Sequence, residues 1–145
     1  MRTRVVVLSF LLVTLLAGAG CAAGSPSSPD ANVDISADAF GQTNHASENV
    51  ELAAGGMLTV TLGSNPTTGF SWGDTAQVAD PSILEQMSYE LVGPEDSNVV
   101  GAGGSEVWVF KALKSGTTTV SFAYSRPWEG GEKDVWTLDL TVKVK

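Results

Sequence analysis

The end of the chain alternates without a break. Trp136, Leu138, Leu140, Val142 and Val144 are separated by Thr137, Asp139, Thr141 and Lys143. Successive side chains of a β-strand point to opposite faces, so this spacing makes one apolar and one polar face. On a helix, residues two apart lie on nearly opposite sides, and the same sequence would have no coherent face. Leu58, Val60 and Leu62 alternate with Thr59 and Thr61 in the same way, and Val120, Phe122 and Tyr124 with Ser121 and Ala123. Residues 86–92 and 106–113 are further strand candidates, 50–52 a shorter one, and 71–74 another with Trp72 facing inward. Gly, Pro, Asn and Asp bound these runs, as they bound strands in general. One helical turn is expected, at residues 80–84, where Pro81 suits a first helical position.

Short strands of this kind, without a sustained helical period, predict an all-β domain over residues 48–145. The architecture expected is an immunoglobulin-like β-sandwich of about seven to eight strands. A barrel shares the same alternation and stays open as the alternative. The 145-residue chain has a single Cys, so no intrachain disulfide can brace the fold and apolar packing must hold it. At 43% hydrophobic and 17% charged the composition is that of a folded chain.

The net charge of −8 argues against a nucleic-acid partner, which needs a basic face. One Cys and one His exclude multi-cysteine zinc sites and any site that needs two histidines. No metal or other cofactor is expected. His45 falls in a polar stretch outside the expected core, so nothing supplies a base beside a nucleophile. Asp74, Asp80, Glu95, Asp96, Glu129, Glu132 and Asp134 fall in expected loops, where solvated acids are usual. A carboxylate-based glycoside hydrolase is not excluded by counting them. Asp30, Asn32, Asp34, Ser36 and Asp38 recur at every second position like calcium-loop ligands. However, Ile35 and Gly41 stand where such a loop needs Gly and Glu. The glycines of 101–104 run into Ser105 and Glu106, not into the Lys and Ser or Thr of a phosphate-binding loop. Pro66 after Asn65 removes the glycosylation sequon there.

The N-terminus is of a different kind. Arg2 and Arg4 precede an apolar run over residues 5–16, and small residues follow. A run of 12 residues is too short to cross a bilayer and has the parts of a secretory signal peptide, expected at residues 1–20. Cys21 closes the small-residue stretch, an arrangement that resembles a bacterial lipoprotein signal. There the Cys becomes the lipidated first residue of the mature chain. Gly18 stands where the usual motif has a branched apolar residue, and ordinary cleavage after Ala17-Gly18-Ala19 is the alternative. The expectation is an exported protein held on the outer face of the cell membrane through Cys21, or else secreted or periplasmic. Loss of residues 1–20 removes two arginines and no acid, moving the net charge from −8 to −10. Residues 21–47, rich in Ser, Pro, Ala and Asp, are expected to be a flexible spacer, although Val33 and Ile35 suit a short edge strand.

Three loops stand out as a set. The first is Asn65, Pro66, Thr67, Thr68 and Gly69, followed by Phe70 and Trp72. The second is Gly101, Ala102, Gly103 and Gly104, and the third is Arg126, Pro127 and Trp128. Singly, each is ordinary turn chemistry. Trp128 lies outside the alternation on either side and is either tucked against the domain end or offered as a binding anchor.

The ordered set NPTTG, GxGG and RPW resembles the chagasin family, inhibitors of papain-like cysteine peptidases. The resemblance spans residues 48–145. Residues 129–134 are not part of the family pattern. The resemblance implies a monomeric immunoglobulin-like sandwich with the three loops side by side at one end, forming a wedge. It implies that residues 65–69 enter the centre of the peptidase cleft, with Thr67 and Thr68 near the catalytic thiolate. Arg126 and Trp128 would then lie on the primed side, and residues 101–104 would reach the unprimed side. Inhibition would be reversible and non-covalent. A non-inhibitory surface adhesion module of the same fold is the competing expectation.

Overall fold

A computed structural model of the protein describes residues 29–95, 98 and 101–145. The signal peptide expected at 1–20, the lipidation site Cys21 and the first part of the expected spacer lie outside the described residues. Eight strands are described: β1 Ala31–Ile35, β2 His45–Leu52, β3 Met57–Ser64, β4 Gln77–Val78, β5 Leu84–Val92, β6 Gly104–Ala112, β7 Gly116–Tyr124 and β8 Trp136–Val144. They form two sheets, ordered β1-β3-β6-β5 and β2-β8-β7-β4. The architecture is therefore a sandwich of two sheets, and the barrel alternative falls away. β1 runs parallel to β3 and β2 parallel to β8, while the other pairs are antiparallel.

The alternation seen in the sequence is the alternation of burial. Leu58, Val60 and Leu62 of β3 face Val120, Phe122 and Tyr124 of β7 and Leu138, Leu140 and Val142 of β8 across the core. Trp108 and Phe110 of β6 fill the centre, with Phe122 edge-on to both. Close-packed aliphatic and aromatic surface of this kind stabilises a domain that has no covalent brace. Toward one end, Phe40, Trp72, Tyr124 and Trp136 make an aromatic cluster, with Tyr124 and Trp136 stacked at 4.8 Å.

Some sequence expectations need correction. Residues 31–47 are not a flexible spacer: they form β1, a single helical turn α1 (Ala37–Phe40) and the start of β2. The segment passes from the edge of one sheet to the edge of the other. Phe40, almost fully buried against Trp72 and Trp136, is its apolar anchor. The every-second-residue ladder of Asn32 and Asp34 is the exposed face of β1, whose Val33 and Ile35 face the core. His45 belongs to β2, exposed, with its Nδ1 2.8 Å from Thr137 Oγ1. Residues 71–74 make only one bridge, Ser71 with Ser125, although Trp72 does face inward. Residues 80–84 do close the single turn expected there, with the Ile83 and Leu84 N–H groups donating to Asp80 O at 3.1 and 3.4 Å, and the chain then passes straight into β5.

Candidate functional site

The strand directions decide which loops meet. β3, β5 and β7 end, and β6 and β8 begin, at the same end of the sandwich. The 65–69 loop follows β3, the 101–104 loop leads into β6, and the 126–128 loop follows β7. All three sequence-predicted loops are thus brought together. The turn that carries α1 lies at the same end, with Ala37 close against Gly63.

The first loop is shaped mainly by itself. Pro66–Thr68 forms one 3-10 turn. Asn65 caps it: its Oδ1 accepts from the Thr67 N–H at 3.3 Å and from the Thr67 hydroxyl at 2.5 Å. Its backbone carbonyl accepts from the Thr68 hydroxyl at 2.7 Å. Pro66 suits this place because its fixed φ matches a helical start and its missing N–H has no role there. Gly69 ends the turn at φ +81°, a conformation that strains other residues. The Trp128 ring lies so close that a Cβ on Gly69 would overlap it. The loop is also fixed from below, where the Asn65 N–H donates to the Tyr124 hydroxyl at 2.9 Å.

The second loop adjoins the first. Asn65 Nδ2 donates to the Gly101 carbonyl at 3.1 Å, and Gly104 pairs with Ser64 in the β3–β6 register. Gly104 passes so near the Val92 carbonyl of β5 that a Cβ would collide with that backbone. The glycine is required there by close approach of two chains.

The third loop reaches back across the first. The Arg126 guanidinium sits 4.4 Å from the Phe70 ring centroid and donates to the Thr68 carbonyl at 3.4 Å. At such a distance the hydrogen bond is weak, and the cation–π contact is the better-formed interaction. Trp128 is 52% exposed, so about half of its surface is available to a partner. Residues 129–134, outside the three motifs, fold back onto this loop. Lys133 Nζ donates to the carbonyls of Arg126 and Trp128, the Arg126 N–H donates to Glu132 O at 2.8 Å, and the Gly131 N–H to Trp128 O at 3.1 Å.

The supporting residues Tyr124, Lys133 and Glu106 were not singled out from the sequence as parts of the site. Tyr124 was legible only as a core residue of a strand, and Lys133 as one charge in an acidic loop. Glu106 is fully buried, and its carboxylate accepts from Ser64, Trp72 and Tyr89. Burial, with the Glu106 carboxylate beside it, pushes the Tyr89 hydroxyl up to about 12. No group of three or more His, Cys, Asp or Glu side chains suited to a metal ion occurs among the described residues.

The geometry is that of a binding end, built from two preformed turns and an exposed indole. The family model described as chagasin family peptidase inhibitor I42 matches residues 51–142, which takes in all three loops. Chagasin of Trypanosoma cruzi is 34% identical over 93 residues, covering 62% of this chain and 83% of that protein. Amoebiasin-2 of Entamoeba histolytica is 31% identical over 91 residues, covering 61% and 71%. Among solved structures, the cysteine protease inhibitor EhICP2 from Entamoeba histolytica is 25% identical with a TM-score of 0.61, covering 80% of this chain and 97% of that one. PbICP-C, solved in complex with falcipain-2, shares the fold at a TM-score of 0.54 and 17% identity, covering 80% and 98%. With its ordered loop motifs inside the matched span, this chain belongs to the chagasin family, whose members are peptidase inhibitors and not enzymes.

Proposed function

We propose that this chain inhibits papain-like cysteine peptidases by occluding the active-site cleft with the 65–69, 101–104 and 126–128 loops acting as one wedge. Thr67 and Thr68 approach the catalytic thiolate, residues 101–104 reach the unprimed side, and Arg126 and Trp128 lie on the primed side. The observation that carries this reading is mutual contact. Asn65 bonds Gly101, and Trp128 lies against Gly69. A surface assembled before docking loses less entropy on binding, which supports tight inhibition without covalent chemistry. Trp128 supplies the kind of aromatic anchor that dominates interfaces. Titration of papain with the purified protein tests the reading. Competitive, reversible inhibition is expected, and binding should persist when the papain thiol is capped by a small methylthio group. Absence of inhibition across a panel of papain-like enzymes would contradict it and leave the adhesion-module alternative.

The protein acts as a monomer outside the cytoplasm, with lipid on Cys21 holding it to the outer face of the cell membrane. The leader and the small-residue stretch before Cys21 support this placement. Several acyl chains on one Cys would give stable anchoring. The intact mass of the native N-terminus tests it: an acylated Cys21 is expected, and an unmodified chain beginning at Gly20 would overturn it.

A further inference from the structure

Glu106, on β6, is fully buried between the two sheets. No ion pair with Lys, Arg or His joins it among the described residues. A carboxylate in such a place is costly compared with an apolar side chain of the same size, unless its lone pairs are filled. Three donors fill them. Ser64 Oγ donates to Oε1 at 2.7 Å, the Trp72 N–H donates to the same oxygen at 3.1 Å, and the Tyr89 hydroxyl donates to Oε2 at 3.0 Å.

The two donors on Oε1 have a special relation to the first loop. Ser64 directly precedes Asn65, and Trp72 follows Gly69 by three residues. One carboxylate oxygen therefore receives one donor from each flank of the 65–69 loop and fixes the separation of its two ends. An apolar residue at position 106 would fill the same volume without setting that separation. We propose that Glu106 is a positioning residue for inhibition, stapling the base of the first loop so that its turn meets the peptidase already shaped. This rests on the reading of that loop as the part entering the cleft. Fixing the loop ends lowers the ordering cost on docking, and its loss shows mainly as faster dissociation.

Four variants test it: Glu106→Gln, Glu106→Leu, Ser64→Ala and Tyr89→Phe. Each is measured for thermal midpoint, for inhibition of papain, and for amide hydrogen exchange of the free protein. Glu106→Gln keeps the oxygen that holds both flanks, and its amide can donate to the Tyr89 oxygen. Its inhibition constant should stay within about threefold of the parent. Glu106→Leu should weaken inhibition by about tenfold or more, as loss of charge-assisted hydrogen bonds implies. Exchange at the Thr68, Gly69 and Trp72 amides should rise while Val120 and Leu140 stay protected. Ser64→Ala removes one flank bond with little change in volume, and should show the same pattern more weakly if the leucine variant does not fold. Tyr89→Phe removes only the Oε2 partner, and should lower the midpoint while leaving inhibition and loop exchange at parent values. Parent inhibition and parent loop exchange in folded Glu106→Leu, or in Ser64→Ala, would overturn the proposal. If the parent itself fails to inhibit papain, the cleft-entering role is lost. Loop exchange in the free protein then still decides whether Glu106 sets the loop.

Discussion

The first and third loops are held in different ways. The 65–69 loop is fixed by its own polar groups, by the Tyr124 hydroxyl and by a buried carboxylate, and it offers no large apolar side chain. The 126–128 loop offers an indole that is 52% exposed and is held at the surface by Lys133 and the backbone of 129–134. The first contributes shape and the third contributes area. A change in the first should therefore act through fit, and a change in the third through lost contact.

The largest effect is expected from Thr68→Glu. A charge carried into a narrow cleft loses its water without a partner, and inhibition of papain should weaken by about a hundredfold or more. Thr68 is exposed, so the variant should stay folded, with only a small drop in thermal midpoint from loss of the Thr68 hydroxyl bond to the Asn65 carbonyl. Trp128→Ala comes next, at about 2 kcal/mol or roughly thirtyfold in the inhibition constant, the cost of losing an interface anchor. Equal losses from Thr68→Glu and from Thr68→Ser would break the contrast between fit and area.

Lys133→Ala should have a smaller effect. It frees the carbonyls of Arg126 and Trp128 at an exposed site, and should cost about 0.5–1 kcal/mol in binding. Stopped-flow dissociation from papain would show it as a modest rise in off-rate.

The smallest effect on inhibition is expected from a pH dependence beneath the first loop, which acts on stability. The Tyr89 hydroxyl is raised to about 12 in the folded protein by burial and by the Glu106 carboxylate, against 10.0 when free. The folded state therefore holds the proton more tightly than the unfolded chain does. That contribution to stability is complete below pH 10 and is lost as pH rises toward 12. Denaturant unfolding of the parent should show a decline over this window that is absent in Tyr89→Phe.

Much of the sandwich was legible because β3, β7 and β8 each bury one face, and burial of one face writes a period of two into the sequence. The N-terminal crossing was only half legible. β1 is a partly exposed edge strand built on Ala31, Val33 and Ile35, and the crossing after it is anchored by a single large side chain, Phe40. One aromatic in a polar stretch has no period to read. The single turn at 80–84 was legible because its signals are local. Pro81 and the Asp80 carboxylate, which accepts from the Ser82 N–H at 3.0 Å, start the turn, and β5 follows directly. The loop motifs were legible one by one and as a family set. Their contacts were not legible from local pattern, since the Asn65–Gly101 and Arg126–Thr68 bonds join residues 36 and 58 positions apart through backbone carbonyls. Any residue type supplies a carbonyl, so the sequence carries no mark of those partners.

That the three loops work as one surface is tested most directly by hydrogen exchange of the protein with and without papain. Residues 65–69, 101–104 and 126–128 should gain protection together, as should the 129–134 segment that backs the third loop. The turns at the opposite end of the sandwich, at residues 53–56 and 113–115, should exchange at the same rate in both states. Protection confined to one loop, or appearing at the opposite end, would contradict the account.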